Sequence, residues 1–343
     1  MKISSLKYCL SFLIPICTLI AFSDPTKWAY LTLVVAFVLI PLLELFLPQN
    51  QDNFNAEEEN ILLNNKFFDL VLLGHFIIHI AILYLFLNLV SIEQLTWIQL
   101  IGVVLAMGIS NGVSGINVAH ELGHRQHLLP KFFAQLLLAS TLYVQFFVEH
   151  NFGHHKYVAT PEDPATARKG ESVYGFWVRS MWKGYFSSWK IQMKMLGGKS
   201  FFGIENKLFW LHILEFILCL AIILEFGLKA FSCFLGAALI GILLLETVNY
   251  VEHYGLLRHL DSRGRYERVM PIHSWNSNHT LGRIVLFELT RHSDHHFDST
   301  RKYQILRHHD QSPQLPFGYP GSMLLALTPS LWRKIVHPLL QGR

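Results

Sequence analysis

The run Phe132-Phe-Ala-Gln-Leu-Leu-Leu-Ala-Ser-Thr-Leu-Tyr-Val-Gln-Phe-Phe-Val148 is apolar over nearly the length of a membrane crossing. It separates two histidine clusters, His120-Glu-Leu-Gly-His124 and His150-Asn-Phe-Gly-His154-His155. If it crossed a bilayer, the clusters would face opposite sides and could not share a site. We therefore expect residues 132–148 to stay on one side, as a re-entrant or interfacial helix buried against protein.

Six other stretches are apolar over the ~20 residues that ~30 Å of hydrocarbon requires. They are roughly 8–22, 28–47, 67–90, 96–118, 208–226 and 229–250. Paired as hairpins, they place both termini and every histidine cluster on one face. All of the 28 lysines and arginines except Lys27 and Lys229 fall on that face, which the positive-inside rule makes cytoplasmic. The loop at 48–66, with Asp52, Glu57, Glu58 and Glu59, is acidic, but acidic residues carry little topological weight. The expected fold is an all-α integral membrane protein, a single domain over 1–343. Six transmembrane helices lie under a cytoplasmic histidine-rich cap formed by 150–207 and 251–343. Residues 156–207 should contribute amphipathic helices on the membrane surface.

The composition agrees: 52% hydrophobic and 15% charged, with a mean hydropathy of +0.33, suits a membrane protein better than a soluble one. A net charge of +4 is too slight to argue for a nucleic-acid partner. Lys2, Lys7 and Ala21-Phe-Ser23 resemble a signal-peptide region, yet the second span follows at once, and cleavage would not change the sidedness of the clusters. Cys9, Cys17, Cys219 and Cys233 all lie in apolar stretches without a C-x-x-C pair, so they read as small buried hydrophobes and not as a metal ribbon.

Two more clusters complete the set: His253, in Asn249-Tyr-Val-Glu-His-Tyr-Gly255, and His292-Ser-Asp-His295-His296. Imidazole is a good ligand for iron, zinc and copper, and nine are more than one ion can hold. His120 and His124 share a helix face at a spacing of four. His150 and His154 repeat that spacing, and His292 with His295 or His296 comes close to it. The adjacent pairs His154-His155 and His295-His296 diverge by ~100° on a helix and so can serve two nearby ions. Glu121, Glu149, Glu252 and Asp294 each stand beside a cluster histidine. They read as carboxylates accepting the second ring N–H of a ligand, or as helix anchors and arginine partners. His120-Glu-Leu-Gly-His124 also spells H-E-x-x-H, the pattern of zinc proteases, including intramembrane ones, with Glu121 as general base. That reading leaves three clusters unexplained.

Taken together, these strings resemble the AlkB-type membrane alkane 1-monooxygenases, within the wider superfamily of histidine-rich fatty acid desaturases and hydroxylases. The superfamily's three boxes correspond to His120–His124, His150–His155 and His292–His296. The longer strings Glu149–Ala165, Asn249–Leu256 and Arg291–His296, the last preceded by Ser274-Trp-Asn-Ser-Asn278, point to the alkane branch. The resemblance covers roughly residues 60–300. It implies a non-haem centre of two iron ions held by all nine histidines, with O2 as cosubstrate and terminal hydroxylation of an alkane. It implies a bacterial inner-membrane enzyme facing the cytoplasm. Its partners would be membrane lipid, a hydrophobic substrate and a separate rubredoxin with an NAD(P)H-dependent reductase, since this chain lacks the cysteines of a fused one. A basic cytoplasmic face favours an acidic donor. Xylene-type methyl hydroxylases and fatty acyl desaturases share most of the pattern.

The chain departs from that pattern at Arg125, where lysine is expected. It departs again at Gly282-Arg283, where Thr-Asn is expected, and at Glu288 and Thr290, where glutamines are expected. Gly108, Asn111, Gly112 and Gly115 in the fourth span either pack helices closely or leave room for an alkyl chain. His75 and His79, deep in the third span, read as hydrogen-bonded to neighbouring helices.

Overall fold

The computed structural model describes residues 3–340; Lys2 and residues 341–343 of the expected cap lie outside the described residues. Among the described residues there is no strand, only isolated bridges such as Gln49 with His279. Five helices are long and apolar enough to cross a membrane: Ser5–Ser23, Pro25–Glu44, Phe67–Ile92, Trp97–Gly123 and Lys207–His253. The last has 47 residues, which at ~1.5 Å per residue is more than twice the thickness of the hydrocarbon layer. It breaks at Gly227, whose φ of 81° and ψ of 173° suit a residue without a side chain. The break falls between the stretches 208–226 and 229–250 singled out in the sequence.

The run 132–148 is not one helix. It is divided between Leu128–Ser140 and Gln145–Glu149. Hydroxyls of Ser140 and Thr141 donate back to the carbonyls of Leu137 and Leu138, at 2.7 and 3.0 Å, competing with the helical ladder. Leu142 then turns the chain with a left-handed φ of 56°. The 13-residue first piece is ~20 Å long, short of the ~30 Å a crossing needs. It buries Ala134, Leu137 and Leu138 in the main core, on the one face that three- and four-residue spacing provides.

Residues 156–207 supply one long helix, Val173–Leu196, capped by Ser172 at its start and by left-handed Gly197 at its end. Val178, Trp182 and Phe186 form an exposed apolar stripe on it, at the four-residue spacing of an amphipathic helix. The long apolar helices and the C-terminal region are joined by aromatic packing. Tyr8, Phe68 and Tyr303 meet edge to face, with ring centres 5.3–5.7 Å apart.

Candidate metal centre

Helix ends and one short helix bring the histidine clusters to the same place. His120 closes the Trp97–Gly123 helix and His124 caps it. His150, His154 and His155 follow Gln145–Glu149, His253 ends the long Lys207–His253 helix, and His292, His295 and His296 lie on the short helix His292–Phe297.

The ring nitrogens fall into two groups, within each of which all ligand atoms lie within 4.8 Å of one another. One contains His120, His124, His150, His155 and His295; the other contains His154, His253, His292 and His296. Both adjacent pairs are split between the groups. In the first, Nε2 atoms stand 3.0–3.1 Å apart along the chain His120, His295, His155, His150, His124. In the second they stand 2.8–3.1 Å apart along His154, His296, His292, His253.

His150 and His154, four apart, do not share a group, contrary to the expectation from α-helical spacing. The reason is local: His150–His154 is a π-helical turn. A π-turn carries about one residue more than an α-turn, so His150 faces His155, five residues on, at 3.0 Å. A second π segment, Asn111–Asn117, precedes His120.

These residues fit metal ions. His154 Nδ1 lies 2.9 Å from Asp163 Oδ2, and that bond places the ring proton on Nδ1, leaving Nε2 bare. The bare Nε2 faces other Nε2 atoms and not a donor. Converging lone pairs need a cation between them. Ligands at right angles on a cation ~2.1 Å away stand ~3.0 Å apart, while tetrahedral ones stand ~3.4 Å apart; the observed spacings match the former. Burial, followed by the neighbouring imidazoles, holds His150, His155, His292, His295 and His296 well below the ordinary histidine value. The same causes push His124 down to about 3. The neutral, ligating form is thus the resting one. Only His124 and His155 retain partial exposure, at the floor of a ≈ 620 Å³ cleft that Lys131, Lys199 and Lys207 also line.

The carboxylates take varied places. Glu121 pairs with Arg125 at 2.9 Å and accepts from the Tyr303 amide. Asp294 holds His309 at 2.7 Å and the Arg307 amide at 2.9 Å. Glu252 Oε2 lies 3.2 Å from His292 Nε2, on the side where the nitrogens converge. Glu149 lines a narrow pocket with His150, His154 and Glu246. The carboxylate on the Nδ1 of a cluster histidine is Asp163, which the cluster pattern alone does not mark. It stands in Thr160-Pro-Glu-Asp-Pro164, where two prolines stop the helix and turn the chain back on His154.

His75 hydrogen-bonds Ser11 and Ser114, and His79 hydrogen-bonds Ser140, so both tie helices together. Of the four channel candidates, Gly112 lines an apolar cavity of ≈ 70 Å³. Gly108 and Gly115 admit close neighbours, and Asn111 packs against Gly241.

A profile of the fatty acid desaturase family matches residues 95–321, which hold all nine histidines. The chain belongs to that family. It is 39% identical to alkane 1-monooxygenase 1 of Pseudomonas aeruginosa, over 93% of this chain and 85% of that protein. It is 34% identical to alkane 1-monooxygenase 2 of Alcanivorax borkumensis, over 96% and 88%. The hydroxylase component XylM of the xylene/toluene monooxygenase of Pseudomonas putida is 29% identical over 70% of this chain and 64% of its own length. As a member of the family with such relatives, the chain is an oxidoreductase and an integral membrane protein.

Proposed function

We propose that this protein hydroxylates the terminal carbon of alkanes dissolved in the membrane. The balance is R–CH3 + O2 + 2 e⁻ + 2 H⁺ giving R–CH2OH + H2O. The observation that carries the reading is the convergence of five and four neutral imidazoles on two adjacent points. Two iron ions bound there would supply the activation of O2 that an unactivated C–H bond requires. The right-angled nitrogen spacing favours iron over a tetrahedral zinc site, and with it hydroxylation over proteolysis at His120-Glu-Leu-Gly-His124.

This chain's residues supply position and dryness. Asp163 fixes the His154 tautomer. The apolar cavity is lined by Asn117, Val248 and Leu289, which precede His120, His253 and His292 by three to five residues. Three chain segments thus lead from the cavity to the imidazoles, so an alkyl chain lying there ends next to them. Leu244, Val285 and Met323 also line it and keep water from that end.

The break at Gly227 supports six spans in place of five, and with them a cytoplasmic cap holding the site. Electrons would come from a rubredoxin-type protein. The exposed edges of His124 and His155 lie beside Lys131 and Lys207, with Lys199 paired to Glu205; Lys131 and Lys207 suit an acidic donor approaching from the cap side. The similarity to XylM favours hydroxylation of an aromatic methyl group as the second reading.

Metal analysis of purified protein, followed by incubation with rubredoxin, its reductase, NADH, O2 and either n-alkanes or xylenes, tests both. Near two irons per chain and 1-alkanol product are expected. A single zinc and no alkanol would overturn the proposal, and benzylic alcohol alone would move it to the second reading.

A further inference from the structure

Two of this chain's departures from the alkane-hydroxylase pattern meet in the fold. Arg283 and Glu288 stand where uncharged residues are expected, and they meet: Arg283 Nε donates to Glu288 Oε2 at 2.6 Å, with both side chains buried. Each is held further. Tyr8 donates its hydroxyl to Glu288 Oε1 at 2.6 Å, and Arg283 reaches the Asn50 carbonyl and side chain.

Between them the backbone is unusual. Phe287 and Glu288 both have a φ of 56°, consecutive left-handed residues without a glycine, a conformation that persists only where the surroundings over-determine it. The Glu288 amide returns to the Arg283 carbonyl at 2.6 Å, closing the turn. Its consequence is directional. Leu286 and Leu289 face the apolar cavity. Phe287 faces away, edge-on to His75 and Tyr303. Three residues past Leu289 comes His292.

We infer that the Arg283–Glu288 pair is a positioning device: by locking the left-handed Phe287–Glu288 turn, it sets Leu286 and Leu289 as the wall that decides which carbon of the chain meets the reacting centre. The inference rests on the proposed alkane hydroxylation. Neither residue touches substrate; they act through the two leucines. Arg291 Nε also lies 4.0 Å from Glu288 Oε2. Loss of Glu288 leaves Arg283 buried without a counter-charge, and loss of Arg283 leaves Glu288 only the longer contact with Arg291; either displaces the turn. Loss of both removes the mismatch, because Arg291 keeps the carbonyls of Leu306 and Asp52.

The test is the position of the hydroxyl in products of n-octane, measured with wild type, Glu288→Gln, Arg283→Asn and the double variant in membranes supplied with rubredoxin, its reductase and NADH. Each single variant should raise the 2-octanol share about fivefold, within the coupling range of residues in contact, at unchanged iron content. The double variant should return toward the wild-type ratio. Should a single variant fail to accumulate, Tyr8→Phe and Glu288→Asp, which loosen the pair without removing its charge, read the same ratio. An unchanged product ratio in every variant that binds iron, or a double variant as altered as the singles, overturns the inference. Absence of any octanol from wild type overturns the alkane reading and this inference with it.

Discussion

Asp163 Oδ2 lies 2.9 Å from His154 Nδ1, and both groups are buried. Thr166 donates its hydroxyl to the same oxygen at 2.6 Å, and the Ala165 amide donates to the other at 3.0 Å. The carboxylate is therefore fixed before any metal arrives. Its loss frees the His154 ring to rotate and to change tautomer. Asp163→Ala should weaken metal binding at the four-histidine group about 10- to 100-fold and leave the five-histidine group loaded. Iron per chain after dialysis against graded chelator should fall toward one. Retention of both irons at wild-type affinity would remove Asp163 from this role.

The π-turn at His150–His154 makes a second prediction. On an ordinary α-helix, His150 and His154 would share an ion, and either alanine variant would cost the same one. Here they belong to different groups. His150→Ala and His154→Ala should each lose a different iron, leaving distinct residual Mössbauer spectra in 57Fe-loaded protein. Identical spectra would show that the two histidines serve one ion.

The sequence makes the helical class and the nine histidines legible, because apolar length and imidazole clustering are local patterns. It does not reveal how those histidines divide. His150 with His154 looks like a shared face because their spacing is four; the π-turn there moves the pairing to His155. Asp163 is invisible for a similar reason. Its contact with His154 depends on how two prolines redirect the chain. Glu121 and Asp294 show the reverse: each stands beside a cluster histidine, yet Glu121 pairs with Arg125 one helical turn on, the arginine-partner alternative of the sequence, and Asp294 is held by His309. Arg283 and Glu288 look like independent departures until the fold places them 2.6 Å apart.

The buried imidazoles also predict an acid limit for the metal-free protein. Their folded values lie below the ordinary 6.5, with His124 at about 3, so between those values the unfolded chain binds protons that the folded chain refuses. Stability then rises with pH and is lost as pH falls from about 6.5, at up to ~1.4 kcal/mol per pH unit for each such histidine. Thermal unfolding of the apo-protein in detergent should show a Tm that drops steeply between pH 7 and 5. Bound metal, which competes with protons for the same nitrogens, should flatten the drop. A Tm independent of pH over that range in the apo-protein would contradict the neutral, buried state of these rings.

The glycines of the Trp97–Gly123 helix separate packing from substrate space. A Cβ on Gly108 would lie 2.5 Å from Ile240, and one on Gly115 would lie 2.7 Å from Thr141 and 3.0 Å from His79. Thr141 ends the Leu128–Ser140 helix, so Gly115→Ala pushes on the segment that joins the first two histidine boxes. Both substitutions overpack a close contact and should cost about 1–3 kcal/mol, read as reduced Tm and reduced yield of folded protein. Gly112 differs. A Cβ there meets Leu244 at an ordinary 3.4 Å, and the residue lines the apolar cavity. Gly112→Ala should fold normally, yet shift the preference among alkanes of different length by raising KM for those that fill the cavity past this point. A Gly112→Ala protein with wild-type KM across the series would place the substrate elsewhere, and a Gly115→Ala protein with unchanged Tm would show that the helices have room to separate.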